Sequence, residues 1–297
     1  MMIGDEDILA PAETTSSACT CCSLFSIFSP LVSGASGPHV SASSSSPLSK
    51  LISLEIIGIE DRECVPERWL RNLTSLKNLS LSRCRRLRCI PLSPSPSVQH
   101  LTTLDFLEIV RCNELDLWKE DESFSQWKSL RSLRTLRISE CDRLIKLPQG
   151  IGNLTSLSKL VIGNCRNLAS LPVGMCRLTT LDCLEIMCCN ELDLWKEDES
   201  FSQWKSLRSL RTLRISECDR LIKLPEGIGN LTSLSELVIE YCPNLASLPE
   251  GMCRLTSLET LRIYNCSSVL RQRCEKERGE DWSKIAHIPN INFSDIW

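Results

Sequence analysis

Eighteen cysteines and three histidines are the residues of this chain best able to ligate a metal, form disulfides or act as nucleophile and base. Their spacing decides which of these chemistries is open. A zinc site needs two ligand pairs at short intervals. Cys19, Cys21 and Cys22 cluster without a second pair, and His39, His100 and His287 stand far apart. Nucleophilic catalysis needs a nucleophile, a base and an orienting group that converge. No Gly-x-Ser-x-Gly or His-Glu-x-x-His phrase is present to bring them together, so the sequence speaks against an enzyme. Gly150-Ile-Gly152 lacks both the third glycine and the lysine of a phosphate-binding loop. No cofactor is expected.

The cysteines instead mark a repeat. Cys84, Cys112, Cys141, Cys165, Cys189, Cys218, Cys242 and Cys266 occupy one fixed place in the phrase Leu-x-x-Leu-x-Leu/Ile-x-x-Cys. The phrase begins at Leu51, Leu76, Leu104, Leu133, Leu157, Leu181, Leu210, Leu234 and Leu258; in the first of these Ile59 replaces the cysteine. Successive starts lie 24 to 29 residues apart, the period of leucine-rich repeats. Leu133, Leu136 and Ile138 can face one side of a short strand, and Cys141 then turns the chain inward. A small, weakly hydrogen-bonding thiol suits such a turn, where it can meet backbone groups at little desolvation cost. Leu144-Ile-Lys-Leu147-Pro148 returns along the other side, with Pro148 ending the extended stretch by removing a donor and fixing φ. No repeat buries its own leucines, so stability must come from stacking. The expected fold is an α/β leucine-rich-repeat solenoid, a curved horseshoe with a parallel concave sheet and an irregular or short-helical convex side. Nine strands at about 4.8 Å would span roughly 38 Å. Neighbouring thiols would then be close enough to bridge, but each should point into its own turn as a buried, reduced group.

Composition fits a thin stack. Hydrophobic residues make up 42% of the 297, yet aromatics only 5%, so leucine and isoleucine must carry the core. Residues 1–47 are rich in Ser, Ala, Pro and Gly, without a period, and read as disordered. Residues 48–266 form the repeat array and 267–297 a closing cap. The net charge of -3 gives no overall footprint for nucleic acid or acidic membrane. The apolar stretch from Leu24 to Val32 is too short to cross a bilayer, and Asp5, Glu6 and Asp7 stand where a secretory signal would be basic. A cytoplasmic protein is expected.

The tail from Cys266 through Arg271-Gln-Arg-Cys-Glu-Lys-Glu-Arg-Gly-Glu-Asp-Trp282 to Ile288-Pro-Asn-Ile291 resembles the ending of plant coiled-coil nucleotide-binding leucine-rich-repeat disease-resistance proteins. The Leu-Pro-x-Gly-Ile/Met phrases at Leu147, Leu171, Leu224 and Leu248 resemble the same family, so the likeness covers residues 48–297. It implies a recognition module of plant innate immunity whose repeats sense a pathogen effector, a guarded host protein or another resistance-protein domain. The chain departs from that family in lacking a phosphate loop, and neither a nucleotide-binding nor a coiled-coil domain fits in residues 1–47. Nucleotide switching therefore does not carry over, and a truncated resistance protein is the reading. An extracellular receptor domain is the alternative, with a non-functional gene fragment beside it. Asn72-Leu-Thr74, Asn153-Leu-Thr155 and Asn230-Leu-Thr232 match the glycosylation acceptor pattern, but Asn-Leu-Thr is also repeat consensus. Unpaired cysteines argue against export.

A protein partner is expected on the concave face, at the outward positions of each strand phrase, such as Arg134, Thr135, Arg137, Ser139 and Glu140. The residues assigned to this surface are Arg111, Arg134, Arg137, Lys159, Asn164, Arg211, Arg214, Glu236, Glu240, Tyr241, Arg262 and Tyr264. Residues 101–177 recur as 178–254 with nine differences: Phe106/Cys183, Val110/Met187, Arg111/Cys188, Gln149/Glu226, Lys159/Glu236, Gly163/Glu240, Asn164/Tyr241, Arg166/Pro243 and Val173/Glu250. Both copies carry the acidic, aromatic insert Trp-Lys-Glu-Asp-Glu-Ser-Phe-Ser-Gln-Trp, at Trp118–Trp127 and Trp195–Trp204, expected as a solvated loop with tryptophans on the edge. Most of the nine changes fall on outward strand positions and make the second copy more acidic, so a face polarised from basic to acidic is expected.

Overall fold

The computed structural model describes residues 47–59, 62–66, 70, 73–88, 90, 99–115, 126–192 and 207–294. Residues 1–46, most of the segment read as disordered, lie outside them, as do Trp118, Trp195 and Trp204 of the duplicated insert. Trp127 is described and is buried at 2% exposure, in the core rather than on an edge.

Every strand phrase forms a five-residue strand. These are β1 (Ser53–Ile57), β2 (Asn78–Ser82), β3 (Phe106–Val110), β4 (Thr135–Ser139), β5 (Lys159–Gly163), β6 (Cys183–Met187), β7 (Thr212–Ser216), β8 (Glu236–Glu240) and β9 (Thr260–Tyr264). Alternation sets the faces: in β4, Leu136 and Ile138 are buried while Thr135, Arg137 and Ser139 are half-buried on the other side. Nine strands are expected and ten are found. The tenth, β10 (Asn290–Ser294), comes from the tail and pairs parallel with β9. The sheet order follows the chain from β1 to β10, all parallel. Position matches position, so that Leu136, Leu160, Leu184 and Leu213 form one continuous row.

The return side is built from short 3-10 turns. Gln149–Asn153, Val173–Arg177, Glu226–Asn230 and Glu250–Arg254 each follow a proline in extended conformation: Pro148, Pro172, Pro225 and Pro249. In the second and fourth of these turns a first donor is met from an earlier turn of the return side. Gln149 Oε1 accepts from the Gly174 N–H at 2.7 Å, and the Glu226 carboxylate accepts from the Gly251 N–H at 3.0 Å. The Gln149/Glu226 difference thus exchanges one capping acceptor for another.

The cysteine row turns each strand inward. Each Sγ donates to the carbonyl two residues earlier, at 3.3 Å for Cys84, Cys112, Cys141, Cys189, Cys218 and Cys266, 3.5 Å for Cys165 and 3.4 Å for Cys242. Cys84, Cys112 and Cys266 also reach a carbonyl of the preceding repeat. All eight are free thiols; seven are buried and Cys266 is half-buried. Cys64, outside the row, is disulfide-bonded. Burial pushes the Cys189 thiol up to about 12 and that of Cys218 up to about 11. A thiol-reactive dye at pH 8 should therefore label exposed Cys253 and leave Cys141, Cys189 and Cys218 unmodified until denaturant is added. Rapid native labelling of those three, seen by peptide mass mapping, would contradict the buried row.

The tail folds as two short helices, α1 (Ser268–Arg273) and α2 (Trp282–Ile285), with β10 after them. Asp281, fully buried, receives the Leu248 N–H at 2.9 Å, Arg273 Nε at 3.1 Å and Nη2 at 2.9 Å, and lies 2.9 Å from Lys284 Nζ. Lys284 also donates to the Leu248 carbonyl at 2.8 Å and pairs with Glu250 at 3.0 Å. Among the described residues no helix is long and apolar enough to cross a membrane.

Candidate functional site

The outward face of the sheet carries three rows of side chains, from the first, third and fifth residues of each strand. A fourth row stands at the residue after each strand. That residue has positive φ in every repeat: Arg83, Arg111, Glu140, Asn164, Cys188, Glu217, Tyr241 and Asn265, with Gly58 in the first. Its N–H donates to the fifth residue of the next strand, as from Arg111 to Ser139 and from Tyr241 to Tyr264. A left-handed non-glycine residue is disfavoured by about 1–2 kcal/mol, and here this cross-repeat bond and the inward turn at cysteine hold it. The row therefore projects its side chains along the strand-exit rim. Arg83, Cys188, Glu217 and Asn265 join the face in this way. The residue before each cysteine was the signal for them.

Every residue assigned to the face lies on it or at its entry and exit, but the charges do not stand free. Arg111 pairs with Glu140 at 2.5 Å, Arg134 with Asp105 at 3.5 Å, Arg137 with Glu108 at 3.7 Å, Arg211 with Asp182 at 3.5 Å and Arg262 with Glu236. Lys159 meets Glu185 at 2.7 Å. Burial would raise the Glu185 carboxyl, but the Lys159 hydrogen bond and charge outweigh it and hold it low. Beside it, burial and then the Glu185 charge push the Cys183 thiol up to about 11.

These pairs engage two of the charges that the duplication would polarise, while Glu240 at the acidic end stays without an ion pair among the described residues. Lys159 faces Glu185 in the next strand, whereas its counterpart Glu236 is paired with Arg262. Likewise Val173 is replaced by Glu250 where the next neighbour is Lys284 of the tail. Arg111 reaches Glu140, and its counterpart Cys188 donates to Glu217 at 3.1 Å. Such substitutions match each copy to its own C-terminal neighbour. Two outward strand positions are also covered: Val161, between Arg137 and Glu185, and Val238, between Arg214 and Arg262, are buried. A small side chain flanked on both sides by long ones is shaded from solvent.

After this pairing a compact group remains. Among the described residues, Glu240, Tyr241 and Tyr264 have no ion pair or side-chain hydrogen bond; Arg214 makes neither, though its charge helps to hold the Glu185 carboxyl of the preceding strand low. Glu240 and Tyr264 are register partners, and Tyr241 comes directly after Glu240 on the rim with 45% of its surface exposed. These are the chain's only two tyrosines. Asn164, the counterpart of Tyr241, is half-buried. Among the described residues no three His, Cys, Asp or Glu side chains gather as metal ligands.

No family model and no curated protein matches the chain. Solved structures do. The leucine-rich-repeat domain of the type III effector XopL aligns with TM-score 0.60 and 22% identity, over 84% of this chain and 78% of that one. A leucine-rich-repeat protein of Leptospira interrogans aligns with TM-score 0.52 and 19% identity, over 84% and 63%. TLR13, in complex with a single-stranded RNA, aligns with TM-score 0.57 and 15% identity, over 86% of this chain but 34% of the receptor. The chain thus spans less than two thirds of the last two. At such identities the likeness establishes the fold: a leucine-rich-repeat solenoid.

Proposed function

We propose that this leucine-rich-repeat solenoid is a protein-recognition module that binds its partner on the open face of the sheet, centred on Arg214, Glu240, Tyr241 and Tyr264. The observation that carries this reading is the contrast on that face. Most of its charges are satisfied between strands, and this group is not. Tyrosine and arginine supply the strongest anchors at protein interfaces, because they combine large contact area with directional polar groups. Ion-paired neighbours add little affinity of their own and keep competing water and partners out.

The tail and the Leu-Pro phrases support a role in plant innate immunity, with a pathogen effector, a guarded host protein or another resistance-protein domain as the partner. The same resemblance supports a cytoplasmic setting, where the free thiols of the cysteine row would stay reduced; the Cys64 disulfide is the feature that does not fit that setting. No chemistry of its own is assigned to the chain.

The test compares two alanine blocks against a partner isolated with the full chain. Replacing Arg214, Glu240, Tyr241 and Tyr264 should weaken binding about a hundredfold, the effect of losing two or three anchors of about 1–2 kcal/mol each. Replacing Ile145 and Ile222, exposed at 59% and 62% on the return side, should leave it unchanged. Equal loss from both blocks would refute the assignment of the face.

A further inference from the structure

At the exit of β2 the chain reads Ser82-Arg-Cys-Arg-Arg-Leu-Arg88. Cys84 and Leu87 are buried and fix the turn, which leaves Arg83, Arg85, Arg86 and Arg88 exposed around it. Elsewhere on this rim Arg111 meets Glu140, Arg143 meets Glu114 and Arg220 meets Glu191, each one repeat away, while Arg166 stands as a single arginine without an ion pair among the described residues. At the second repeat, of these four arginines, only Arg88 meets an acid among the described residues. Arg88 lies 3.9 Å from Glu63, and Arg83, Arg85 and Arg86 have no ion pair among the described residues. The Arg83 N–H donates to the Val110 carbonyl at 2.9 Å, which places the cluster one strand from Arg111. Three unpaired guanidinium groups this close repel one another. Being exposed, they do not support the fold in return. On a chain whose net charge is -3 they form a local field of opposite sign.

We infer that this arginine cluster is a docking site for a carboxylate-rich segment of a protein partner. The guanidinium fork matches a carboxylate bidentately, and three forks on one tight turn can grip several acidic side chains along an extended segment. Charge complementarity names the occupant: the pairs along the same rim show that carboxylates are what its arginines meet elsewhere. The cluster borders the open face, so a partner seated on that face could reach it. The inference rests on the recognition reading for the partner but is measured without it.

The experiment uses the full chain and a fluorescein-labelled octaglutamate peptide, monitored by anisotropy at low ionic strength. Saturable binding is expected, falling about tenfold or more in Arg83→Glu/Arg85→Glu/Arg86→Glu, as for the loss of several charge-assisted contacts. The milder Arg85→Ala/Arg86→Ala should fall in the same direction. Arg166→Glu/Arg177→Glu/Arg208→Glu reverses three other exposed arginines and should bind like the wild type. Added salt should weaken the complex. No saturable binding, or equal loss in both triple variants, would overturn the inference. So would tighter binding of a single-stranded octanucleotide than of the peptide, which would assign the cluster to phosphates. The double variant Tyr241→Ala/Tyr264→Ala should leave peptide binding intact, so failure here is separable from failure of the open-face reading.

Discussion

Asp281→Ala is expected to destabilise the fold by about 3–5 kcal/mol, the usual effect of removing one partner from a buried ionic cluster. The carboxylate is fully buried and accepts from Arg273 and from the Leu248 N–H, with Lys284 against it. Its removal leaves Lys284, only 12% exposed, with the Leu248 carbonyl and the exposed Glu250 carboxylate alone, and the Leu248 donor loses its acceptor. The effect should be local in origin and long in reach, because the tail covers the last repeat and each repeat depends on its neighbour. Urea unfolding monitored by circular dichroism measures it, and a change within about 0.5 kcal/mol, typical of surface sites, would contradict the account. Acid should act through the same group. Burial alone would raise the Asp281 carboxyl, but hydrogen bonds from Arg273, Leu248 and Lys284 outweigh it and hold it below the ordinary range. A carboxyl whose folded pKa is depressed stabilises the fold above its unfolded pKa, about 3.9 for Asp. That contribution is intact at neutral pH and lost as pH falls through the lower, folded value. In Asp281→Asn the acid-dependent part should be missing.

Gly174→Ala is expected to destabilise by about 3 kcal/mol, at the upper end of ordinary overpacking, because the obstacle is backbone. A Cβ on Gly174 would stand 2.2 Å from the Gln149 carbonyl oxygen, and one on Gly152 would stand 2.3 Å from the Gly174 carbonyl oxygen. The 3-10 turns of adjacent repeats are thus stacked at a distance only hydrogen permits. A side chain there must push two repeats apart and break the bond from Gly174 to Gln149 Oε1. Gly163→Ala is the control. Its Cβ would meet the end of the flexible Met187 side chain at 3.3 Å, which can move aside. Thermal melts of the two variants should differ clearly; equal melting would mean that the return side is not packed as described.

The strand phrase carried the fold in its spacing. An entry leucine, two alternating apolar residues and a thiol three residues beyond can only be satisfied together by a short strand that turns inward, and β2 to β9 match that phrase residue for residue. β10 was hidden because its phrase is written in other residues: Ile288, buried, replaces the entry leucine, Ile291 and Phe293 take the two inward places opposite Leu261 and Ile263, and no cysteine follows. The site was legible as a face and not as a set of roles. Alternation places Lys159 and Glu236 outward, but which charge lies across from each depends on the neighbouring strand, which gives Lys159 Glu185 and Glu236 Arg262. The same neighbour relation buries Val161 and Val238 on a face where alternation alone predicts exposure. Trp127 differed for another reason: an acidic surrounding sequence says nothing about where the last, apolar residue of a loop is anchored.

The central claim is that a partner covers the unpaired group on the open face, and the chain's two tyrosines, Tyr241 and Tyr264, make it directly measurable. Nitration with tetranitromethane, read by mass spectrometry, should modify exposed Tyr241 readily and Tyr264 more slowly in the free protein. With partner bound at saturation, both should be protected about tenfold or more, as expected for residues at the dry centre of an interface. Unchanged nitration of both tyrosines in a complex shown to be intact would place the partner elsewhere and contradict the account.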